Sequence, residues 1–117
     1  MQDIVQTQVN SWKSQIKKGS LELAVLALLK VQRRYGLELF ELLNRLELDI
    51  SEGSIYPLLS RLRNEKKVTT EWVDEGVGHA HKYYMLTPHG EQTLAAMLTA
   101  WGEFTAAFDR LLGECHD

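Results

Sequence analysis

Residues 51–67 read SEGSIYPLLSRLRNEKK, and the spacing inside this stretch decides the architecture. Ile55, Leu58, Leu59 and Leu62 recur at +3, +1 and +3, which gathers them on one face of a helix. At 100° per residue Gly53, Tyr56, Pro57, Ser60 and Asn64 then point the other way, so the outward face is small, polar and aromatic. Proline is tolerated in a first helical turn, where backbone N–H groups lack partners anyway, and this makes Ser54 a candidate cap for the helix. Ser51 competes for the same role, and the helix is expected over 52–66.

Working outward, a preceding helix is expected from Tyr35-Gly36 to about Leu46, with Leu39, Phe40, Leu43 and Leu46 inward and Asp49 or Ser51 punctuating the link. Upstream of it, Ser20 is a plausible N-cap for a core helix reaching Lys30 and carrying Leu21, Ala24, Val25, Leu28 and Leu29. Gly19 is expected to end a separate first helix, whose Val5, Val9, Trp12 and Ile16 form one apolar stripe. Downstream, VTTEWVD (68–74) and HKYYML (81–86) are rich in β-branched and aromatic residues and flank Gly76 and Gly78, the pattern of a hairpin with a mobile tip. Thr87-Pro88 supplies a cap followed by proline at the first helical position. The helix it starts is expected to reach about Leu112. Its Leu94, Met97, Trp101, Phe104, Phe108 and Leu111 follow the alternating +3 and +4 of a coiled-coil seam.

Four helices, a two-stranded hairpin and a last helix, with the third and fourth joined by a short link, describe a winged helix-turn-helix. The fold class is mainly α with a small β-hairpin. Residues 1–18 are expected to form an N-terminal helix with one apolar stripe, 19–86 the winged domain, and 87–117 a C-terminal helix with a dimerisation seam. In such a fold the second helix of the pair enters the major groove, where side chains meet a full donor and acceptor pattern. Ser51, Ser54, Tyr56 and Ser60 suit phosphates or base edges, Arg61 and Arg63 suit phosphates, and Gly53 admits close backbone approach. Tyr35 and Pro57 at the same surface, and His81 and Lys82 on the wing beside His79, complete the candidate DNA contacts.

Composition bounds the alternatives. At 44% hydrophobic and 25% charged the chain matches ordinary globular usage, which excludes a disordered or fibrous protein. Lys30, Arg33 and Arg34 close the apolar run Leu21–Leu29 well short of a membrane span, and Met1-Gln2-Asp3 lacks the character of a secretory signal, so a cytoplasmic location is expected. A net charge of −3 argues against unspecific coating of nucleic acid, yet residues 61–67 hold Arg61, Arg63, Lys66 and Lys67 against Glu65 alone. That run is either a basic edge or the solvated end of a helix.

No Gly-x-Ser-x-Gly elbow, glycine-rich phosphate loop or His-Glu-x-x-His occurs, so no enzyme and no cofactor are expected. Cys115 is the single cysteine, which rules out an internal disulfide. Two other readings stay open. His79 and His81 with Glu75, or Cys115-His116-Asp117, are fragments of a metal-sensor site, although none is a complete site. A winged helix also serves as a protein-interaction module, but that use calls for exposed apolar residues where this helix has Ser, Arg, Asn and Lys.

KGSLELAVLALL, YGLELFELL, SEGSIYPLLSRLRNE and HKYYMLTPHGE, in this order and spacing, resemble the PadR family of bacterial transcriptional regulators over roughly residues 18–91. The resemblance implies a winged-helix fold, dimerisation through the C-terminal helix and repression at a palindromic operator. It also implies release by a small effector, often phenolic. The chain departs from the family in having Lys67 where a glycine near the end of the recognition helix is usual, and a wing less rich in arginine. Its length resembles that of short-tailed members, in which the first helix packs on the partner; the stripe through Trp12 fits that use, or else folds back on its own subunit. In some such members an interfacial tryptophan stacks on planar aromatic compounds, and Trp101 stands at the matching place. Trp12, Met97, Trp101, Phe104 and Phe108 are therefore the candidate effector and dimer residues, with an ordinary aromatic dimer core as the other reading of the same side chains.

Overall fold

The computed structural model describes residues 3–46, 48, 50–76 and 78–116, with the side chains of 115 and 116 excepted. Asp49, Asp117 and the side chains of Cys115 and His116, named above as punctuation or as metal ligands, lie outside the described residues.

Helix α1 spans Ile4–Val31 without a break, capped by Asp3, whose carboxylate accepts from Val5 N–H at 3.0 Å. The expected stop at Gly19 and cap at Ser20 do not occur. A glycine inside a helix costs only about 1 kcal/mol, and burial of Val25, Leu26 and Leu29 just beyond it outweighs that cost. The Ser20 hydroxyl donates back to the Ile16 carbonyl at 2.9 Å, a bond made within a continuous helix.

Strand β1, Arg34–Tyr35, was not expected; two residues are too few to show a period. Helix α2 follows at Gly36–Arg45 and buries Leu39 and Leu43, but Leu46 lies past its end and is 61% exposed, contrary to the inward placement expected. The link to the next helix is fastened by Asn44, whose amide donates to the carbonyls of Phe40 and Ile50 and accepts from Ile50 N–H, at 3.0–3.2 Å.

Helix α3 runs Glu52–Asn64 with Ser51 as its N-cap, which decides between the two serines. Pro57 therefore lies inside the helix, and not in its first turn. It withholds a donor from the Gly53 carbonyl at an exposed stretch of helix, where that loss is mild. Lys67 N–H bonds the Leu62 carbonyl and Lys66 N–H that of Arg63, so the helix closes on a left-handed residue, Lys66, at φ 62°. The position that wants glycine is thus Lys66, one before the residue singled out from the sequence.

Strands β2, Val68–Asp74, and β3, Ala80–Leu86, pair antiparallel from Val68↔Leu86 to Asp74↔Ala80, and β1 adds to the far side of β3 in the order β1-β3-β2. Helix α4, Pro88–His116, starts at Thr87, whose hydroxyl accepts from Gly90 N–H at 3.0 Å and donates to the Lys66 carbonyl. A Cβ on Gly90 would lie 1.9 Å from the Lys67 carbonyl oxygen, so only glycine lets the start of α4 press on the end of α3. Both ends of the wing are thereby fixed to α3. The core, centred on Val25, Leu26, Leu39, Leu43, Ile55, Leu59 and Leu62, is closed below the sheet by Val68 and Tyr84 and beside α1 by Leu94.

Candidate nucleic-acid interface

Burial of Ile55, Leu59 and Leu62 turns Gly53, Tyr56, Pro57, Ser60 and Asn64 of α3 outward, and all five are exposed. Ser54 and Arg61 lie on one flank of this strip, facing α1, while Tyr56 occupies the other flank, facing the sheet. Each flank borders a cleft.

The cleft toward the sheet, about 470 Å³, is lined by Tyr35, Gly36, Tyr56, Trp72, His81 and Lys82 among others. A Cβ on Gly36 would meet the Tyr56 ring at 2.5 Å, so glycine there is what lets the ring lie against the start of α2. Lys82 and Trp72 are register partners and share the sheet face of Tyr84, over whose ring the Lys82 ammonium sits at 5.7 Å. His81 shares the opposite face with Tyr35 and Tyr83, and stacks on Tyr35 at 4.4 Å between centroids. Adjacent residues of a strand point to opposite faces, so His81 and Lys82 reach this cleft from opposite sides of β3. The Tyr83 hydroxyl donates to the Glu75 carboxylate. That bond first, then desolvation and neighbouring negative charge, pushes its pKa up to about 12, so it stays a neutral phenol half-way along the wing. Burial raises that of Tyr84.

The cleft toward α1, about 750 Å³, is lined by Lys17, Lys18, Ser51, Ser54, Pro57 and Arg61 among others. The Ser51 and Ser54 hydroxyls meet at 2.8 Å. Arg61 is not a free cation: it donates to Glu22 at 2.8 Å and to Glu65 at 3.3 Å. Lys67 likewise reaches Glu22 at 3.1 Å and Glu65 at 2.9 Å. The basic edge read from 61–67 is therefore half compensated within the fold, and Arg63 and Lys66 are its cations outside any ion pair among the described residues. Glu22 stands 39 positions from Arg61, and no local spacing announces such a partner.

At the opposite end, Met97, Trp101 and Phe104 of α4 face Ile16 and Leu23 of α1 across a cleft of about 480 Å³. Trp12, 59% exposed, stands one helical turn before Ile16 and outside the lining of that cleft, and Phe108 stacks on Phe104 at 4.9 Å further along α4. Among the described residues no group of three or more His, Cys, Asp or Glu side chains is placed to hold a metal, and no helix is long and apolar enough to cross a membrane.

Residues 25–96 match the model of the transcriptional regulator PadR-like family. The chain belongs to the PadR-like family. A PadR family regulator from Eggerthella lenta is similar in structure with a TM-score of 0.83, at 28% identity over 92% of this chain and 95% of that one. A PadR-like regulator from Bacillus cereus is 34% identical over 84% of this chain and 96% of its own, with a TM-score of 0.76. Bacillus subtilis PadR, solved with operator DNA, is 30% identical over 67% of this chain and 46% of its own, with a TM-score of 0.60. The PadR-like assignment makes this chain a winged-helix transcriptional regulator and sets it outside the enzymes.

The structure brings Tyr35, Tyr56, His81 and Lys82 to one cleft and Ser51, Ser54, Pro57 and Arg61 to the other, with Gly53, Ser60 and Arg63 on α3 outside both linings. Two features of the PadR-like surface were not singled out from sequence. Trp72, 68% exposed, faces the wing-side cleft, and counting back along the hairpin from Lys82 would have placed it there. Lys17 and Lys18 lie on the side of α1 away from the apolar stripe, legible from the 100° step alone.

Proposed function

We propose that the chain is a repressor that binds a palindromic operator as a homodimer, presenting two copies of α3 about 34–36 Å apart, one turn of DNA. The exposed polar strip of α3 carries this reading. It is small enough at Gly53 and Ser60 to approach base edges, and it is flanked on both sides by clefts holding cations. That the PadR of Bacillus subtilis was solved on operator DNA supports it. Repression would follow from occupying the promoter.

The test is binding of the purified chain to DNA from its own promoter region across a salt series, beside Arg63→Ala and Lys82→Ala. Binding that prefers this sequence, weakens steeply with salt, and has a slope lower by about 0.9 for each phosphate contact removed is the expected result. Absence of any sequence preference would turn the reading toward a protein-interaction module.

The Trp101 cleft favours an added function. Its volume, about 480 Å³, falls within the range of small-molecule sites, and Trp101 with Phe104 offers flat surfaces to a planar aromatic effector. Such a compound releases DNA only through different affinities for the free and DNA-bound dimers. Quenching of tryptophan fluorescence by phenolic acids and polycyclic dyes, lost in Trp101→Ala, supports this role; equal quenching in both proteins removes it.

A further inference from the structure

We infer that the cleft between α1 and α3 seats one of the two DNA backbones, with Lys18 and Lys17 of α1 as phosphate contacts. This deepens the operator-binding reading and rests on it. A helix is about 10–12 Å across and the major groove about 12 Å wide, so a helix lying in the groove has a phosphate backbone along each of its long sides. On one side of α3 the wing is the conventional support. On the other lies α1, with a cleft of about 750 Å³ running along the same strip of Ser51, Ser54 and Pro57 that the operator would meet. The cleft is continuous with the proposed interface.

Its charge suits a polyanion. Among the described residues that line it, Lys17, Lys18 and Arg61 stand against one carboxylate, Glu22. Both oxygens of Glu22 are already bonded, one to Arg61 and the other to Lys67, so that carboxylate is compensated from within. Arg61 remains 49% exposed while held by Glu22 and Glu65, which fixes its guanidinium at the wall of the cleft with N–H groups to spare. Lys18 is exposed, has no ion pair among the described residues, and reaches outward on a flexible stem. The Ser51 and Ser54 hydroxyls, 2.8 Å apart, share one donated hydrogen and leave the other free for a phosphate oxygen. The apolar stripe through Val9, Trp12 and Ile16 occupies the opposite side of α1, so a partner subunit covering that stripe leaves the lysines open.

Phosphate contacts set the salt dependence of binding, so the probe is a duplex of about 30 base pairs from the chain's own promoter region, titrated from about 50 to 200 mM salt. Lys18→Ala is expected to lower the slope of log affinity against log salt by about 0.9 per protomer, and Lys17→Ala with Lys18→Ala by more. Lys18→Glu weakens binding further. Arg110→Ala, an equal change of charge far along α4, leaves the slope at its parent value. Each variant keeps its helical circular dichroism, because these positions are on the outside of long helices. Should Lys18→Ala and Lys18→Glu bind with the parent slope while Lys82→Ala loses slope, α1 is not a contact, although the regulator reading stands. If the parent itself shows no salt-dependent binding, that reading fails and this inference falls with it.

Discussion

Lys66 shows how one backbone angle is decided by what surrounds it. Its φ of 62° lies in the region where a side chain costs about 1–2 kcal/mol and glycine nearly nothing. The angle is imposed because Lys67 N–H must reach the Leu62 carbonyl and the Lys66 carbonyl must accept the Thr87 hydroxyl, which ties the end of α3 to the start of α4. Lys66→Gly is therefore expected to stabilise the fold by about 0.5–1 kcal/mol, the relief of strain less the added freedom of the unfolded chain. Chemical denaturation reads this as a higher midpoint at unchanged slope. A lower midpoint would show that the lysine stem contributes more by packing than its backbone loses. Because the Lys66 ammonium is outside any ion pair among the described residues, the substitution should also cost some DNA affinity, a separate readout from stability.

Between elements, long-range pairing does what local pattern does not reveal. Helices α2 and α3, both hairpin strands and the Thr87 start of α4 were legible, because each buries one face and each face repeats at the period of its element. The continuity of α1 was not legible: Gly19-Ser20 reads as a boundary, and only the core contacts of Val25, Leu26 and Leu29 carry the helix across it. The place of Gly90 under the Lys67 carbonyl and the tie of Glu22 to Arg61 and Lys67 were equally out of reach, being contacts between distant segments. At Glu22 burial alone would raise the carboxyl pKa, but hydrogen bonds and charges from Arg61 and Lys67 outweigh it and hold the pKa below the ordinary 4.5. A depressed carboxylate contributes stability that is complete above its unfolded pKa and vanishes as pH falls through the folded one. Glu22→Gln is thus expected to lower the melting temperature by about 4 °C near neutral pH, with the gap to the parent closing as pH falls below the ordinary 4.5. A gap of constant size from neutral pH into acid would assign the effect to packing instead of charge.

For the molecule as a whole, shape and surface point the same way. The radius of gyration is 17.3 Å, whereas a compact domain of this length has about 13 Å. The excess comes from the ends of α1 and α4, which project beyond the core and carry Ile4, Val5, Trp12, Leu98, Trp101, Phe104, Phe108, Leu111 and Leu112, each at least 45% exposed. Exposed apolar side chains in this number suit the proposed homodimer, in which the seam spacing of α4 packs against a second copy of the chain. The core itself, from Val25 to Leu94, lies within one chain, so separating the copies of the proposed homodimer need not unfold them. Phe104→Asp with Phe108→Asp is accordingly expected to sediment as a folded monomer with a cooperative thermal transition. Its affinity for a palindromic duplex should fall by about 100-fold or more, since the second half-site no longer benefits from tethering to the first. A variant that still sediments as a dimer would place the contact elsewhere on α4 or α1. A folded monomer binding as tightly as the parent would show that one copy of α3 suffices, and the paired arrangement of recognition helices would have to be abandoned.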